Sequence, residues 1–267
     1  EGNATSSSFL RLPSLSEELG PVKAGALRVA RRLTNFLRAG YPVRRYEELQ
    51  PAGLIFLSIP DAIAPRIVEE LCSSDLALKG ISFVLCETWL NTNSLKPLHA
   101  KGAWTATVAS VPSQYKSWFV VEGQLTAVRQ VRKFLERNNA RGFELRPGAK
   151  SLYFAAELLA TSAPLQLLAT AQQALRAAGI SGNHVYDLLE EMSSEMFRAF
   201  SNGARPSVPA TRTGCSPELS NEYFEQLRTN HPQIATLLDQ QIQAASFQQK
   251  ARPARESSDL PGELAAN

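Results

Sequence analysis

Lys150 and Tyr153 are the residues whose types and spacing best suit proton transfer. They stand three positions apart in a run, 150–163, that predicts a helix, so their side chains share one face of it. A lysine can polarise a carbonyl group or donate a proton, and a tyrosine with a tuned pKa can do the same. We therefore take the pair as candidate catalytic residues. The alternative is that they form the ordinary first turn of a buried helix.

Polar residues follow two apolar runs, 53–59 and 81–86, that predict buried strands of a parallel sheet. Ligands of open α/β sheets bind outside the carboxyl ends of the strands, so these polar residues are candidates for cofactor binding. One alternative is that the aspartate caps the helix that follows it, and the other is ordinary loop polarity. The four candidates are Pro60, Asp61, Glu87 and Thr88.

Three arginines, Arg28, Arg31 and Arg32, follow a short predicted strand at 20–24. If that strand is the second of the sheet, they occupy the region where NADP enzymes often place an arginine for the 2′-phosphate. Arg28 and Arg32 are therefore candidate cofactor-binding residues. Arginine is also a good helix former, so an exposed helix face is the alternative.

The composition excludes several other classes of protein. The three histidines lack metal-ligand spacing and the three cysteines form no Cys-x-x-Cys pair, so we expect no metal site and a reducing, cytoplasmic environment. The 28 basic residues are dispersed among 25 acidic ones, which argues against a nucleic-acid partner. The most hydrophobic strand-like run, 54–59, is far shorter than the roughly 20 residues of a membrane span, and no signal peptide is visible.

The elements that must position these residues change character along the chain. Strands alternate with helices up to Pro147-Gly148, and only helices follow. We therefore expect an α/β domain at 9–146, with a mostly parallel sheet and helices on both faces, then an all-α domain at 147–247. Residues 1–8 and 248–267 are expected to be disordered. The predicted strands are 8–12, 20–24, 53–59, 81–86, 103–111, 117–122 and 141–145. The predicted helices are 27–39, 60–71, 126–138, 150–178 with a kink at Pro164, 183–200, 220–229 and 232–247, and a capping box at Ser14–Glu17 marks one further start.

The stretch Leu54–Ile63, which reads Leu-Ile-Phe-Leu-Ser-Ile-Pro-Asp-Ala-Ile, resembles the "strand, Val-Pro-Asp, helix" signature of a Rossmann-like family. That family carries an uncharacterised helical C-terminal domain and is related to the NADP-dependent oxidoreductases. The resemblance continues at Phe119–Gly123 and Lys150–Ala156, and it covers most of residues 20–240. Such proteins are similar to pyrroline-5-carboxylate reductases and 6-phosphogluconate-type dehydrogenases, so the resemblance implies an NADP cofactor and a helical dimerisation domain.

The chain departs from that family where the dinucleotide should bind. It has no Gly-x-Gly-x-x-Gly motif, and the segment 13–18 at the expected turn contains Glu17 and Glu18, which would repel a phosphate. Phe154 replaces the histidine of the family's Tyr-His pair, and its later motifs are blurred near 213–215. We therefore expect NADP binding to be weak or absent. The first hypothesis is an oxidoreductase-like protein of unknown substrate, and the alternative is a non-catalytic binding or scaffold protein that retains the fold.

Two expectations concern partners. The Ala- and Leu-rich run 152–178 has more apolar surface than a small helical domain buries, so we expect a homodimer through the helical domain. If a small molecule binds, it should contact the loops at 60–61 and 87–88 and the helix start at 150–153, which the fold should bring together.

Overall fold

The computed structural model describes residues 12–113, 116–203 and 217–250, and the chain divides into two compact units, Glu1–Leu159 and Ala160–Asn267. The strands are β1 (Pro21–Lys23), β2 (Tyr41–Val43), β3 (Leu54–Leu57), β4 (Ser82–Cys86), β5 (Trp104–Ser110), β6 (Trp118–Gly123) and β7 (Arg141–Glu144). The helices of the first unit are α1 (Pro13–Glu18), α2 (Leu27–Leu37), α3 (Ala64–Ser73), α4 (Lys96–Ala100), α5 (Leu125–Arg137) and α6 (Lys150–Ala160). The second unit contains α7 (Ser162–Ala177), α8 (His184–Ser201), α9 (Pro217–Asn230) and α10 (Pro232–Lys250).

Five strands form the main sheet in the order β3-β4-β5-β6-β7. The pairs β3–β4, β4–β5 and β6–β7 are parallel, whereas β5 and β6 are antiparallel. The carboxyl ends of β3, β4 and β5 therefore lie along one edge. This arrangement confirms the predicted mostly parallel sheet followed by a helical region.

The strands of the sheet bury both faces because helices cover each side. On β4, Val84 and Cys86 pack into one core with α5, whereas Phe83 and Leu85 pack into a second core with α3 and α4. Every residue of β4 is buried, which explains why its sequence is apolar throughout instead of alternating.

A smaller β–α–β unit precedes the main sheet. Strands β1 and β2 pair in parallel and α2 connects them. The helix ends with Arg38 in the left-handed conformation, and Gly40 follows at a φ of 70°. A side chain at Gly40 would bring its Cβ to 2.5 Å from the Gly20 carbonyl oxygen, so only glycine allows this return of the chain toward β2.

The beginning of the chain differs from the prediction. The helix α1 starts at Pro13 with Leu12 as its N-cap, so Ser14 lies inside the helix and the predicted capping box is wrong. With proline at the first helical position, the helix starts two residues earlier than it would with Ser14 as its N-cap. The predicted strand at 8–12 lies outside the described residues except for Leu12, which is not in a strand. Strand β2 and helix α4 were not predicted because each is short and contains a proline.

The helical run beyond the sheet is interrupted once. Helix α6 ends at Ala160 and α7 begins at Ser162. Pro164 explains the break, because it lacks an amide and its ring clashes with the carbonyl four residues earlier, that of Ala160. By length and composition alone, Lys150–Ala177 would suffice to cross a membrane, and it is largely exposed. The expected disorder of 248–267 lies outside the described residues from 251 onward, whereas α10 continues to Lys250.

Candidate functional site

Asp61 joins the loops that follow β3 and β4. Its Oδ1 accepts a hydrogen bond from the Thr88 hydroxyl at 2.5 Å, and its Oδ2 accepts one from the Trp89 amide at 2.9 Å. Pro60 is the N-cap of the short 3₁₀ turn that starts at Asp61, and no side-chain cap is formed there. The capping interpretation of Asp61 is therefore wrong, because its carboxylate reaches across the carboxyl edge of the sheet.

Glu87 has a similar role one strand further on. It adopts a left-handed φ of 51°, which is uncommon for a residue with a side chain. Its Oε2 accepts hydrogen bonds from the Ser110 amide at 3.0 Å and the Ser110 hydroxyl at 2.8 Å. The carboxylate thus joins the ends of β4 and β5 and remains half-buried at the same edge.

Lys150 brings the third predicted segment to this edge. Its side chain is only 2% exposed, and its ammonium group donates to the Leu90 carbonyl oxygen at 2.7 Å. Burial lowers the pKa of Lys150 from 10.5 to about 8, and electrostatic interactions with Glu122, Asp61, Cys86 and Glu87 oppose that change. The structure therefore brings together the loops at 60–61 and 87–88 and the start of α6, as the fold prediction required.

Glu122 belongs to this cluster but was not predicted as a site residue. Its side chain is 2% exposed, and its Oε1 accepts a hydrogen bond from the Gly148 amide at 2.6 Å. It lies two residues after the buried Val120 on β6, so it points into the same face of the sheet. A glutamate at an inward position of a buried strand was the available signal, because an isolated buried carboxylate is costly.

Helix α6 also adds an aromatic group to the site. Phe154 is buried and stacks on Trp89 with ring centroids 3.9 Å apart and an interplanar angle of 17°. Trp89 remains 56% exposed, so part of its indole faces solvent at the rim of the cluster. Burial and the neighbouring Glu157 carboxylate raise the pKa of Tyr153, so its hydroxyl is a weaker acid than that of an ordinary tyrosine. Trp89 was missed because nothing in its sequence context distinguishes it from a loop residue.

The turn that suits a phosphate is not where the sequence placed it. The strand–turn–helix unit of this chain is β1, Ala24–Ala26 and α2, and its first helical turn contains no carboxylate. Val29 and Ala30 donate the first hydrogen bonds of α2, both to the Ala26 carbonyl, so the preceding amides are among the free donors of a helix N-terminus. The expectation that Glu17 and Glu18 flank this turn is therefore wrong: they lie in α1, where Glu18 pairs with Arg137 of α5 at 2.5 Å.

The predicted arginines also lie in a different position relative to the strands than expected. Arg28, Arg31 and Arg32 lie exposed on α2, the helix that follows β1, and not after the second strand of the parallel pair. The residues that follow β2 are Arg44 and Arg45, both exposed, and their amides donate to Glu48 at 3.1 and 2.8 Å. They stand about 20 residues after the turn, the spacing at which dinucleotide-binding folds recognise the adenine ribose.

The described residues contain no group of histidine, cysteine, aspartate and glutamate side chains that could hold a metal ion. His99 bonds to Gln124 and to the Ala103 carbonyl, which is a structural role. The segment 213–215, with its cysteine, lies outside the described residues.

A parallel-sheet edge with polar loops, preceded by a β–α–β unit, defines the Rossmann-like class. Residues 117–213 match a family described as a domain of unknown function, DUF2520. None of the curated proteins matches this chain significantly.

Several solved structures are similar to this chain over most of its length. One is a Bacteroides fragilis protein provisionally named as an NADP oxidoreductase, with a TM-score of 0.70 and 12% identity, covering 92% of this chain and 95% of its own. A second is an Aspergillus terreus imine reductase in complex with an NADPH form and a dibenzazepine, with a TM-score of 0.65 and 14% identity over 91% and 89% of the two chains. A third is a Myxococcus stipitatus imine reductase in complex with NADP⁺, with a TM-score of 0.61 and 14% identity over 94% and 93%. The chain has the Rossmann-like fold of these oxidoreductases.

Proposed function

We propose that this protein is an NADP(H)-dependent oxidoreductase that reduces a carbonyl or imine bond, with Lys150 as its proton donor. The observation that carries the proposal is the ammonium group of Lys150, buried at the carboxyl edge of the sheet among Asp61, Glu87 and Glu122. A group with a pKa of about 8 is well matched to proton transfer near neutral pH.

The proposed reduction requires a hydride and a proton. NADPH, when bound, supplies a hydride to the carbon atom of the double bond. Lys150 gives the proton that the nitrogen or oxygen atom then requires and is left as a neutral amine. Asp61 and Thr88 fix the loop edge beside Lys150, and Tyr153 contributes a hydroxyl that stays protonated. The exposed part of Trp89 offers an apolar surface to a substrate.

The charge of the β1–α2 turn suits the binding of NADP(H), but its backbone shape suits it only partly. The free amides of this turn, the absence of a carboxylate from the first turn of α2 and the presence of Arg28 suit a pyrophosphate. The space beside Gly25 is open, because a Cβ added there would have no atom within 4 Å. The six positions from Ala24 to Val29, however, contain one glycine instead of the three of the fingerprint. We therefore propose that binding is weak, with a dissociation constant between about 0.1 and 1 mM.

Arg44 and Arg45 should give NADPH an advantage over NADH. Two exposed guanidinium groups after β2 suit a 2′-phosphate, which only NADPH carries. Titration calorimetry of the wild type should show tighter binding of NADPH by about tenfold, which one good charge-assisted contact provides. The double variant Arg44→Ala/Arg45→Ala should lose that preference, whereas Arg129→Ala, an exposed arginine of α5, should keep it.

Turnover is tested by NADPH oxidation with panels of small ketones and cyclic imines. Lys150→Met should lower turnover by about 10²- to 10⁴-fold without changing the NADPH dissociation constant. Tyr153→Phe, on the same face of α6, should have a smaller effect. An unchanged rate in Lys150→Met, or no binding of NADPH to the wild type at millimolar concentration, would reject the proposal.

One observation favours the alternative, a non-catalytic binding or scaffold protein. Lys150 already donates to the Leu90 carbonyl and is nearly inaccessible, as expected of a structural tie between α6 and the loop after β4. The replacement of the family's histidine by Phe154, which packs on Trp89, points the same way. Under this alternative, Lys150→Met would reduce stability and no reductase activity would be found in the wild type.

We further propose that the protein is a cytoplasmic homodimer formed through its helical region. Leu152, Leu159 and Leu165 are 73%, 70% and 65% exposed, which is unusual for large apolar side chains on a monomer. A second copy that covers them would bury the apolar run Lys150–Ala177 without a membrane. Light scattering at micromolar concentration should give twice the 29.2 kDa chain mass, and a monomer mass would contradict this.

A further inference from the structure

Glu122 places a buried carboxylate on one face of the sheet. It alternates on β6 with Phe119 and Val121, which pack in the core formed with α5, so its side chain lies on the other face. Its Oε1 accepts the Gly148 amide hydrogen, and within the described residues its buried Oε2 has no hydrogen-bond partner. A buried carboxylate is unfavourable unless a charge or hydrogen bonds compensate it, so this position requires a specific reason.

The backbone holds Glu122 in place. The next residue, Gly123, has a φ of 157°, and a Cβ added there would lie 2.5 Å from Ala106 Cα. The Thr92 hydroxyl donates to the Glu122 carbonyl oxygen at 3.3 Å. The carboxylate is thus presented from a fixed strand, and it reaches the turn between β7 and α6 two residues before Lys150.

Lys150 is the buried cation on which the Glu122 carboxylate acts electrostatically. The other titratable groups acting on the lysine are Asp61 in the loop after β3, Cys86 on β4 and Glu87 directly after β4. Glu122 exerts the largest of these effects, and it is more deeply buried than Asp61 and Glu87. The Leu90 carbonyl oxygen accepts a hydrogen bond from the ammonium group but carries no formal charge.

We propose that Glu122 is a positioning residue for Lys150: it fixes the turn at Gly148 from which α6 starts, and it supplies the buried negative charge that keeps the lysine protonated. The inference rests on the proposed function in that it assigns how the proton donor is maintained. The two parts of the proposal are separable, because one depends on a hydrogen bond and the other on a charge.

Glu122→Gln separates them. Its amide oxygen still accepts the Gly148 hydrogen bond, but the negative charge is lost. We expect the pKa of Lys150, followed by ¹⁵N NMR of the lysine side chains, to fall from about 8 by one unit or more, a tenfold or greater loss of proton affinity. The Lys150 signal is identified by its absence from Lys150→Met. The control Glu157→Gln removes a carboxylate of α6 that acts on Tyr153, and it should leave the pKa of Lys150 unchanged.

The wild type supplies a second test that does not depend on any variant folding. The Gly148 amide should be protected from hydrogen exchange, and its chemical shift should change with pH together with the Lys150 signal. A Gly148 amide that exchanges as fast as an unstructured glycine would overturn the positioning part. An unchanged pKa of Lys150 in folded Glu122→Gln would overturn the charge part. Neither measurement uses NADPH, so a failure of the oxidoreductase proposal would leave both results standing.

Discussion

Replacing Lys150 with methionine should remove a specific pH dependence of stability. Burial lowers the pKa of Lys150 from 10.5 to about 8 in the folded protein. Between these values the unfolded chain binds a proton that the folded chain does not, so the free energy of unfolding rises with pH through this window. Below pH 8 both states are protonated, and the full penalty of burying the charge is present.

The magnitude follows from the two pKa values. From pH 7 to pH 9.5, Lys150 should add about 2 kcal/mol to the free energy of unfolding. The side chain is almost fully buried, so solvent does not screen the effect appreciably. Methionine is of similar length and uncharged, so the variant should lack this rise. Loss of the charged hydrogen bond to the Leu90 carbonyl lowers the stability of the variant by about 1.5–3 kcal/mol, which the relief of burying a charge partly offsets.

Urea unfolding followed by tryptophan fluorescence measures this difference. All three tryptophans, Trp89, Trp104 and Trp118, lie in the first unit, so the signal reports the unit that contains Lys150. The series should stop at pH 9.5 because ordinary tyrosines ionise near pH 10. Lys133→Met, at an exposed position of α5, serves as the control and should follow the wild type. If the free energies of unfolding of the wild type and Lys150→Met differ by the same amount at every pH, to within about 0.5 kcal/mol, the assigned pKa of Lys150 is wrong.

Three further predictions concern single contacts. Thr88→Val should lower the free energy of unfolding by about 1–3 kcal/mol because Asp61 loses a hydrogen-bond donor, and Thr88→Ser should restore most of it in the same urea assay. Gly123→Ala should cost about 1–3 kcal/mol or more, since its Cβ would collide with Ala106 of β5, and an unchanged thermal midpoint would show that the strands can separate. Leu165→Glu should convert the proposed dimer to a monomer in light scattering, whereas Leu125→Glu, exposed on α5, should not.

Sequence patterns sufficed for the strands that are buried on both faces. The apolar runs predicted at 53–59 and 81–86 became β3 and β4 with ends shifted by at most two residues, because strands buried on both faces leave an unbroken hydrophobic signal. The polar residues after them could be assigned to one edge because parallel strands end on the same side. Lys150 could be added because its helix had to begin beside that edge.

Other features depended on information that no local pattern carries. Which strand begins the β–α–β unit is decided by the pairing of β1 with β2, and β2 is a three-residue strand containing Pro42. Once this pairing is known, the strand–turn–helix unit is β1, Ala24–Ala26 and α2 instead of the segment 13–18, and the residues that follow its second strand are Arg44 and Arg45. The order of strands along the chain does not identify this unit, because it carries no information on which strands pair.

The distribution of charge is a second feature that the sequence composition does not reveal. A net charge of +3 suggests no particular ligand, yet residues 19–46 contain seven basic residues and no acidic one. The edge around Lys150, by contrast, gathers Asp61, Glu87 and Glu122 from three separate segments. A ligand with several phosphate charges is attracted to the first region and repelled by the second. The two regions carry charge of opposite sign, so the net charge of the whole chain reveals neither of them.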